Sequence, residues 1–465
     1  MAEQKKKSKK EKITSPKGMR DILPENQNYW KYVIKKGIKI AEDYGFEQID
    51  TPILEQTGLF VRSVGEGTDI IDKELYSLET EGGDKLSLRP EGTASVARSY
   101  VENGMSVWPN PVRLFYVGPM FRHDQPQHGR ARQFHQMGVE LFGVDGPIGD
   151  AQVILMAYKY LQSMGIKDLM VKINTIGNLE SRNEYIKKLK EFVKPKLRKL
   201  CESCKDKYKT NILRTLDCKE EACKEIFQDA PEILDFLDKE AKDHFKLVLE
   251  FLDEVEVPYV LDSTLVRGLD YYTRTVFEIM PDSGEEVEEK KAETSESDKP
   301  EGDKPESDKK EVPEKKKKKE PLTLIAGGRY NRLVEQLGGP KTPACGWAAG
   351  LERIIMYLKE KGANIPGPMA EPKVFVAQLG DAGKRKGLKL FEMLRHANIR
   401  VASSLGKDSI KSQLRVADKL NVQYALIVGQ KEALDDTVII RDMETGIQEV
   451  LPMSKIIDIF HKRLK

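Results

Sequence analysis

Residues 121–140 constrain the fold most, because they read as two antiparallel strands joined by a polar loop. Phe121-Arg122 end the first strand, and the connection is rich in Gln, His, Gly and Arg. The run Arg132-Gln133-Phe134-His135-Gln136-Met137-Gly138-Val139-Glu140 supplies the second. Successive side chains of a strand point to opposite faces, so Arg132, Phe134, Gln136, Gly138 and Glu140 share one face. That face offers an amide and a carboxylate around a glycine, and the glycine leaves room for a small ligand. A second stretch, Arg267-Gly268-Leu269-Asp270-Tyr271-Tyr272-Thr273, places an arginine and two tyrosines at the start of another apolar strand. A core strand needs none of this polar equipment, whereas a pocket for a small charged molecule does.

At 465 residues the chain is expected to hold two or three domains. Its hydrophobic fraction of 39%, charged fraction of 33% and net charge of +2 describe a soluble globular protein. Local charge is strongly segregated. Residues 1–12 contain six lysines and read as a disordered tail that either aids solubility or weakly helps hold RNA; residues 283–320 are almost entirely Glu, Lys, Asp, Ser and Pro. No run of about 18 apolar residues predicts a membrane span. The absence of an apolar N-terminal stretch argues against secretion. Five cysteines, a low and odd number, suit a reducing compartment, so a cytoplasmic location is expected.

Apolar spacing predicts a helix over 26–44 with Gly45 at its C-terminal cap, then a strand over Phe46–Pro52. Strands and helices alternate over 86–160, and Val171–Asn174 continues the strand pattern. Residues 179–257 are Lys-, Glu- and Leu-rich at helical period and read as an inserted helical domain. Strand chemistry resumes at Pro258–Leu261 and runs to Ile279. The charged segment 283–320 lacks the apolar surface to offset ordering entropy, and reads as the disordered loop of an expanded hairpin. Residues 372–465 form a separate α/β unit. Its strands are expected at 373–377, 399–402 and 424–429 and its helices at 382–396 and 408–420, with a hairpin (437–451) and a last helix (453–464) to close it. Gly346, Ala349, Gly350 and Arg353 fall at i, i+3, i+4 and i+7, which predicts one helix face of tiny residues with an arginine projecting from it.

The two opening stretches resemble motif 2 and the histidine-specific signature of the histidyl-tRNA synthetase family of class II aminoacyl-tRNA synthetases. The resemblance continues through Lys17-Gly18-Met19-Arg20-Asp21-Ile22-Leu23-Pro24, Arg89-Pro90-Glu91-Gly92-Thr93, Ala326-Gly327-Gly328-Arg329-Tyr330 and Gly350-Leu351-Glu352-Arg353. It covers nearly the whole chain from about Ile13. The fold it implies is an α+β catalytic core on a class II antiparallel sheet, with a helical insertion and a C-terminal α/β anticodon-binding domain. On this reading 13–178, 258–282 and 321–368 are the three parts of the core, and 372–465 is the anticodon-binding domain. Motif 1, in the Phe46–Pro52 segment, would build a homodimer interface.

The activity implied is histidine–tRNA ligation: L-histidine reacts with ATP to give histidyl-adenylate and pyrophosphate, then passes to the 3′ end of tRNA(His). Two anions must meet, so positioned cations and Mg²⁺ do most of the work. Arg122 and Arg267 are the catalytic candidates, since a planar guanidinium fork suits both phosphate and carboxylate; read singly, each would be an ordinary ion-pair arginine. Arg130 and, by the family's motif 3, Arg353 complete the ATP set. Histidine recognition falls to Glu140 and Tyr271 or Tyr272 for the imidazole. Glu91, Gly92, Thr93 and Gln136 surround the α-ammonium, and Gly327 and Gly328 allow close approach of backbone to ligand. A pocket that hydrogen-bonds its substrate rejects analogues lacking those groups, so no editing domain is needed. Loop residues Gln125, Gln127, His128 and Arg130, with Arg132, would reach the RNA acceptor end.

His123, His128 and His135 are spaced against a metal site. Cys201-x2-Cys204 and Cys218-x4-Cys223, 13 residues apart, match a structural zinc pattern; free thiols in a helical insertion are the competing reading. Cys345 stands alone as a small apolar residue. Asn331 stands where the family usually has Asp, and Trp347 where Phe is common. A regulatory subunit of ATP phosphoribosyltransferase would lack the C-terminal domain and part of the substrate set. A nutrient-sensing kinase would carry a kinase domain. A synthetase of the same subgroup for another amino acid would lack the Arg267–Tyr272 signature with Gln136 and Glu140.

Overall fold

The computed structural model describes residues 12–65, 68–127, 129–282, 322–366, 371–406 and 409–464. The lysine tail before Lys12, the charged segment 283–320 and His128 lie outside the described residues. The chain divides into two compact units. One runs from Tyr29 to Asn364 and includes the N-terminal residues to Leu23; the other is Ile365–Lys465 with Pro24–Asn28.

The larger unit is organised by an eight-stranded sheet in the order β1-β5-β6-β11-β10-β9-β7-β8. Its strands are β1 (Glu47–Gln48), β5 (Val112–Phe121), β6 (Gln133–Phe142), β7 (Leu169–Thr175), β8 (Tyr259–Leu261), β9 (Thr273–Pro281), β10 (Ile325–Arg329) and β11 (Ala344–Gly350). The six central strands are antiparallel, and β1 and β8 add parallel edges. A small antiparallel sheet of β2 (Leu54–Gln56), β3 (Ser77–Glu79) and β4 (Lys85–Leu88) stands apart.

Strand alternation divides the core as the sequence requires. Phe115, Met137, Val139 and Leu141 face helices Gln27–Asp43 and Pro147–Gln162, in a cluster that Lys239–Glu254 joins through Phe245, Val248 and Leu252. Leu114, Tyr116 and Phe142 face the other way, toward Val96, Tyr100 and the apolar residues of the helical segment 179–227. Helix Gln27–Asp43 ends as expected, with Gly45 at φ +75°. The expanded hairpin is present at its base, where Ile279 pairs Ile325 and Leu324 N–H donates to the Ile279 carbonyl.

Two expectations are corrected. The segment Phe46–Pro52 forms only a two-residue strand, because it pairs with β5 alone and Pro52 carries no N–H donor. Residues Ala344–Gly350 are a strand, not a helix; helix Leu351–Glu360 begins just after them. The small residues suit both periods, but the strand is clamped between β6 and β10, with Gly346 opposite Glu140 and Gly328. A Cβ at Gly346 would run into the Val139 carbonyl and the Glu140 carboxylate. Leu351, Ile354, Ile355 and Leu358 give the following helix its buried face.

The C-terminal unit has a mixed sheet in the order β13-β12-β14-β15-β16. Its strands are β12 (Val374–Gln378), β13 (Val401–Ser403), β14 (Tyr424–Val428), β15 (Thr437–Asp442) and β16 (Gln448–Pro452). β12 runs parallel to both neighbours, and β14, β15 and β16 are antiparallel. Helices Gly380–His396, Ile410–Lys419 and Ile456–Arg463 match the predicted ones.

Candidate active site

A cleft of about 890 Å³ opens on the sheet face that carries Phe134 and Gln136. Glu91, Thr93, Arg122, Gln127, Arg130, Gln136, Arg267, Tyr271, Tyr272 and Arg353 all line it. Residues spread over more than 260 positions of sequence therefore converge on one cavity.

Its floor begins at helix Thr93–Glu102. Glu91 caps this helix, accepting the N–H groups of Thr93 at 2.7 Å and Ala94 at 2.8 Å. Burial pushes the Glu91 carboxyl up from its ordinary value, against the pull of those N–H groups and of Arg122. The Tyr271 hydroxyl lies 3.4 Å from Glu91. Tyr271, Tyr272 and Tyr330 form an aromatic wall, with ring centroids 4.8 to 6.3 Å apart.

The cations are held from several directions. Arg122 donates through Nε to the Pro90 carbonyl at 2.9 Å and lies 5.3 Å over the Phe134 ring. Arg267 is paired with Glu278 of β9. Arg353, in the first turn of its helix, donates to the carbonyls of Gly129 at 3.1 Å and Thr323 at 3.0 Å. So Arg353 reaches the cavity even though the residues before it are a strand. Arg130, half exposed at the rim, pairs with Asp124 at 2.9 Å. Gln136 Oε1 and Arg267 Nε are among the buried polar atoms that have no hydrogen-bond partner among the described residues. Both residues line the cleft, where a polar ligand would satisfy them.

Several expected residues sit elsewhere. Glu140 is fully buried behind the wall, accepting from Thr93 Oγ1 at 2.7 Å and from the Tyr330 hydroxyl. Burial, helped by nearby Glu91, pushes its carboxyl up to about 8 against the pull of the two hydroxyl bonds. The space beside Gly138 is filled by the Tyr116 ring directly opposite it in β5, so it holds no ligand; Gly92 backs onto the same ring. Gly327 and Gly328 likewise give way to protein. A Cβ on Gly327 would meet the Gly346 carbonyl and Trp347, and one on Gly328 the Thr275 carbonyl and Tyr272. Arg132 turns from the cleft and donates to the carbonyls of Asp124 at 3.2 Å and Lys17 at 3.4 Å, packing against Gly18.

His135 is bonded to Glu352, and His123 stacks edge-on against Tyr76, so these two do not share a ligand geometry. Asn331 keeps an acceptor where a carboxylate would stand. Its Oδ1 receives Arg329 Nη1 at 3.1 Å and Ala344 N–H at 3.3 Å.

Tyr330, Glu278 and Trp347 also line the cleft and escaped a role at the level of sequence. For Glu278 the signal was present, as an acid inside an apolar strand. For Tyr330 it was not, because a tyrosine after Gly-Gly-Arg reads equally as core. Arg329 is also a surprise: it is fully buried, held by Asp150 at 3.0 and 3.1 Å and by the carbonyls of Val144 and Gly146.

In the insertion, the sulfurs of Cys201, Cys204, Cys218 and Cys223 all lie within 4.8 Å of one another. The two pairs, 13 residues apart in sequence, are brought together here, with Cys201 N–H donating to Cys223 Sγ at 3.3 Å.

A family model described as histidyl-tRNA synthetase matches residues 18–288, and one for an anticodon binding domain matches 373–463. The histidine–tRNA ligase of Dehalococcoides mccartyi is 41% identical over 97% of this chain and 99% of its own length. That of Caldicellulosiruptor bescii is 39% identical over 98% of this chain and 100% of its own. The apo S. aureus histidyl-tRNA synthetase shares the fold with a TM-score of 0.71 at 33% identity, covering 97% of this chain and 100% of that one. With its antiparallel core, its cleft and its C-terminal unit in the matching order, the chain belongs to the histidyl-tRNA synthetase family.

Proposed function

We propose that this enzyme, a histidine–tRNA ligase by family, activates L-histidine with ATP in the cleft and passes it to tRNA(His), with the residue roles that follow. The observation that carries the reading is the convergence of Arg122, Arg267 and Arg353 with Glu91, Gln136 and the tyrosine wall on one cavity.

The α-ammonium of histidine sits among Glu91, Thr93 and Gln136, where Gln136 Oε1 awaits a donor. The imidazole lies against Tyr271, Tyr272 and Tyr330. Glu140 acts through Thr93 and Tyr330, whose hydroxyls it orients, and is a positioning residue. The substrate carboxylate then attacks the α-phosphorus of ATP, and the bond to pyrophosphate breaks. Charge gathers on the phosphoryl oxygens, and Arg122 and Arg267 stabilise it from fixed positions that need no rearrangement. Arg353 and Arg130 face the base and outer phosphates. Mg²⁺ arriving with ATP would neutralise phosphate charge; Glu278 and Glu74, both on the cleft, are the carboxylates suited to it. In the second step a terminal ribose hydroxyl of tRNA attacks the carbonyl and AMP leaves. Gln127 and Arg130 stand at the rim for the RNA end, and Arg132 holds their loop.

The C-terminal unit would read the anticodon stem. A homodimer through the motif 1 segment is supported by the exposure of Ile53 and Leu54 beside it, and light scattering would test it. No helix among the described residues is long and apolar enough to cross a membrane.

Histidine-dependent exchange of pyrophosphate into ATP tests the reading. Exchange that requires histidine, and falls roughly 10²- to 10³-fold in Arg267→Ala, is expected. Absence of exchange in folded protein with Mg²⁺ present would overturn it.

A further inference from the structure

Zinc geometry is specific enough to be checked against the four cysteines. A tetrahedron with metal–sulfur bonds of about 2.3 Å has sulfurs about 3.8 Å apart. The Sγ atoms of Cys201 and Cys218 are 3.8 Å apart, too far for a disulfide and right for two ligands of one ion. All four sulfurs fall within 4.8 Å of one another, so one centre can reach each of them with small rotamer changes.

Cys201 is the N-cap of helix Glu202–Thr210 and Cys204 lies in its first turn. Helix N-termini favour anionic sulfur. Cys201 also donates its backbone N–H to Cys223 Sγ at 3.3 Å, a bond that suits a charged sulfur. Cys204, Cys218 and Cys223 are buried among Leu200, Ile212, Leu213 and Leu216. In this apolar setting four bare thiols would gain little from meeting, whereas a divalent cation would displace their protons and hold the four thiolates together.

We propose that Cys201, Cys204, Cys218 and Cys223 bind one zinc ion as four thiolates, and that this ion fixes the insertion segment that reaches the mouth of the cleft. Arg214 pairs with Asp69 at that mouth, and Asn211 Nδ2 donates to Asp270 at 2.8 Å, inside the Arg267–Tyr272 signature. Lys207 follows Cys204 by three residues and Arg214 precedes Cys218 by four, so both are held within a turn of a metal ligand. The ion contributes no step of the reaction. The metal assignment rests on the cluster alone; its effect on the mouth rests on the proposed active site.

Metal analysis of full-length protein prepared with reductant and zinc is the test. One zinc per chain is expected, retained in Cys345→Ser and lost in Cys204→Ser. Thiol modification should release it, and cobalt exchanged into the site should give the visible bands of a tetrahedral four-thiolate ion. Because wild-type metal content is read directly, a variant that fails to fold does not decide the matter. Wild-type protein carrying well under one zinc per chain would overturn the proposal even if pyrophosphate exchange is normal. Zinc present but unchanged in Cys204→Ser would overturn it too.

Discussion

Two buried carboxyls show how differently the same group is used. Asp150 is held below its ordinary value: burial pushes it up, but Arg329 and His244 more than reverse that. Its contribution to stability is present above the ordinary aspartate range and lost as pH falls through the depressed value. Removing that charge in Asp150→Asn leaves Arg329 buried and uncompensated, and a loss of about 3–5 kcal/mol is expected in urea unfolding at pH 7. Glu140 has the opposite sign. Its carboxyl is raised from 4.5 to about 8, so the folded state binds the proton more tightly than the unfolded chain does. Stability then falls as pH rises from about 4.5 to 8. Glu140→Gln should flatten that fall, and the variant should be relatively most stabilised at pH 8 and above. Melting temperatures of both proteins at pH 5.5 and 8.5 check the sign; equal pH dependence would refute it. At the cleft, Gln136→Leu removes an acceptor without shrinking the side chain much, so the KM for histidine in exchange should rise at least tenfold with KM for ATP little changed.

At the scale of elements, strand pairing decides more than composition. β11 lies between β6 and β10 so closely that Gly346 has no room for a methyl group. Gly346→Ala is expected to cost about 1–3 kcal/mol or more, read as a drop in Tm, and to disturb Glu140 beside it. The hairpin of β9 and β10 is registered by its own strands on either side of the long charged connection. Replacing residues 284–320 by a four-residue Gly-Ser turn shortens the loop by roughly three doublings. Loop-closure entropy then predicts about 2 kcal/mol of added stability and an unchanged exchange rate. A lost exchange activity would show that the connection does more than join two strands. The first strand of this hairpin was legible from its Val, Phe and Ile content, whereas the second, Ile-Ala-Gly-Gly-Arg, has only one such residue. The strand Ala344–Gly350 was not, because residues without side-chain bulk carry almost no periodic signal.

At the scale of the whole molecule, two units with separate cores make a single two-state transition unexpected. Calorimetry should resolve more than one transition, and histidine with ATP should raise only the one belonging to the larger unit. A single transition shifted as a whole would contradict this. Alternation, helical period and caps, all properties of neighbouring residues, made a helical insertion, a C-terminal α/β unit and the polar strands of the cleft legible, while the family resemblance supplied the antiparallel core and the roles of its arginines and tyrosines. Tertiary structure alone decided which of these groups face the cavity. Gly92, Gly138, Gly327 and Gly328 make room for Tyr116, Trp347 and Tyr272, Glu140 stands behind Thr93 and Tyr330, and Arg132 anchors a loop. The spacing of the four cysteines suggested a zinc pattern, but only packing brought their sulfurs together. The physical reason is common to all of them. Burial and proximity depend on register between strands and helices distant in sequence, and no local pattern encodes that distance.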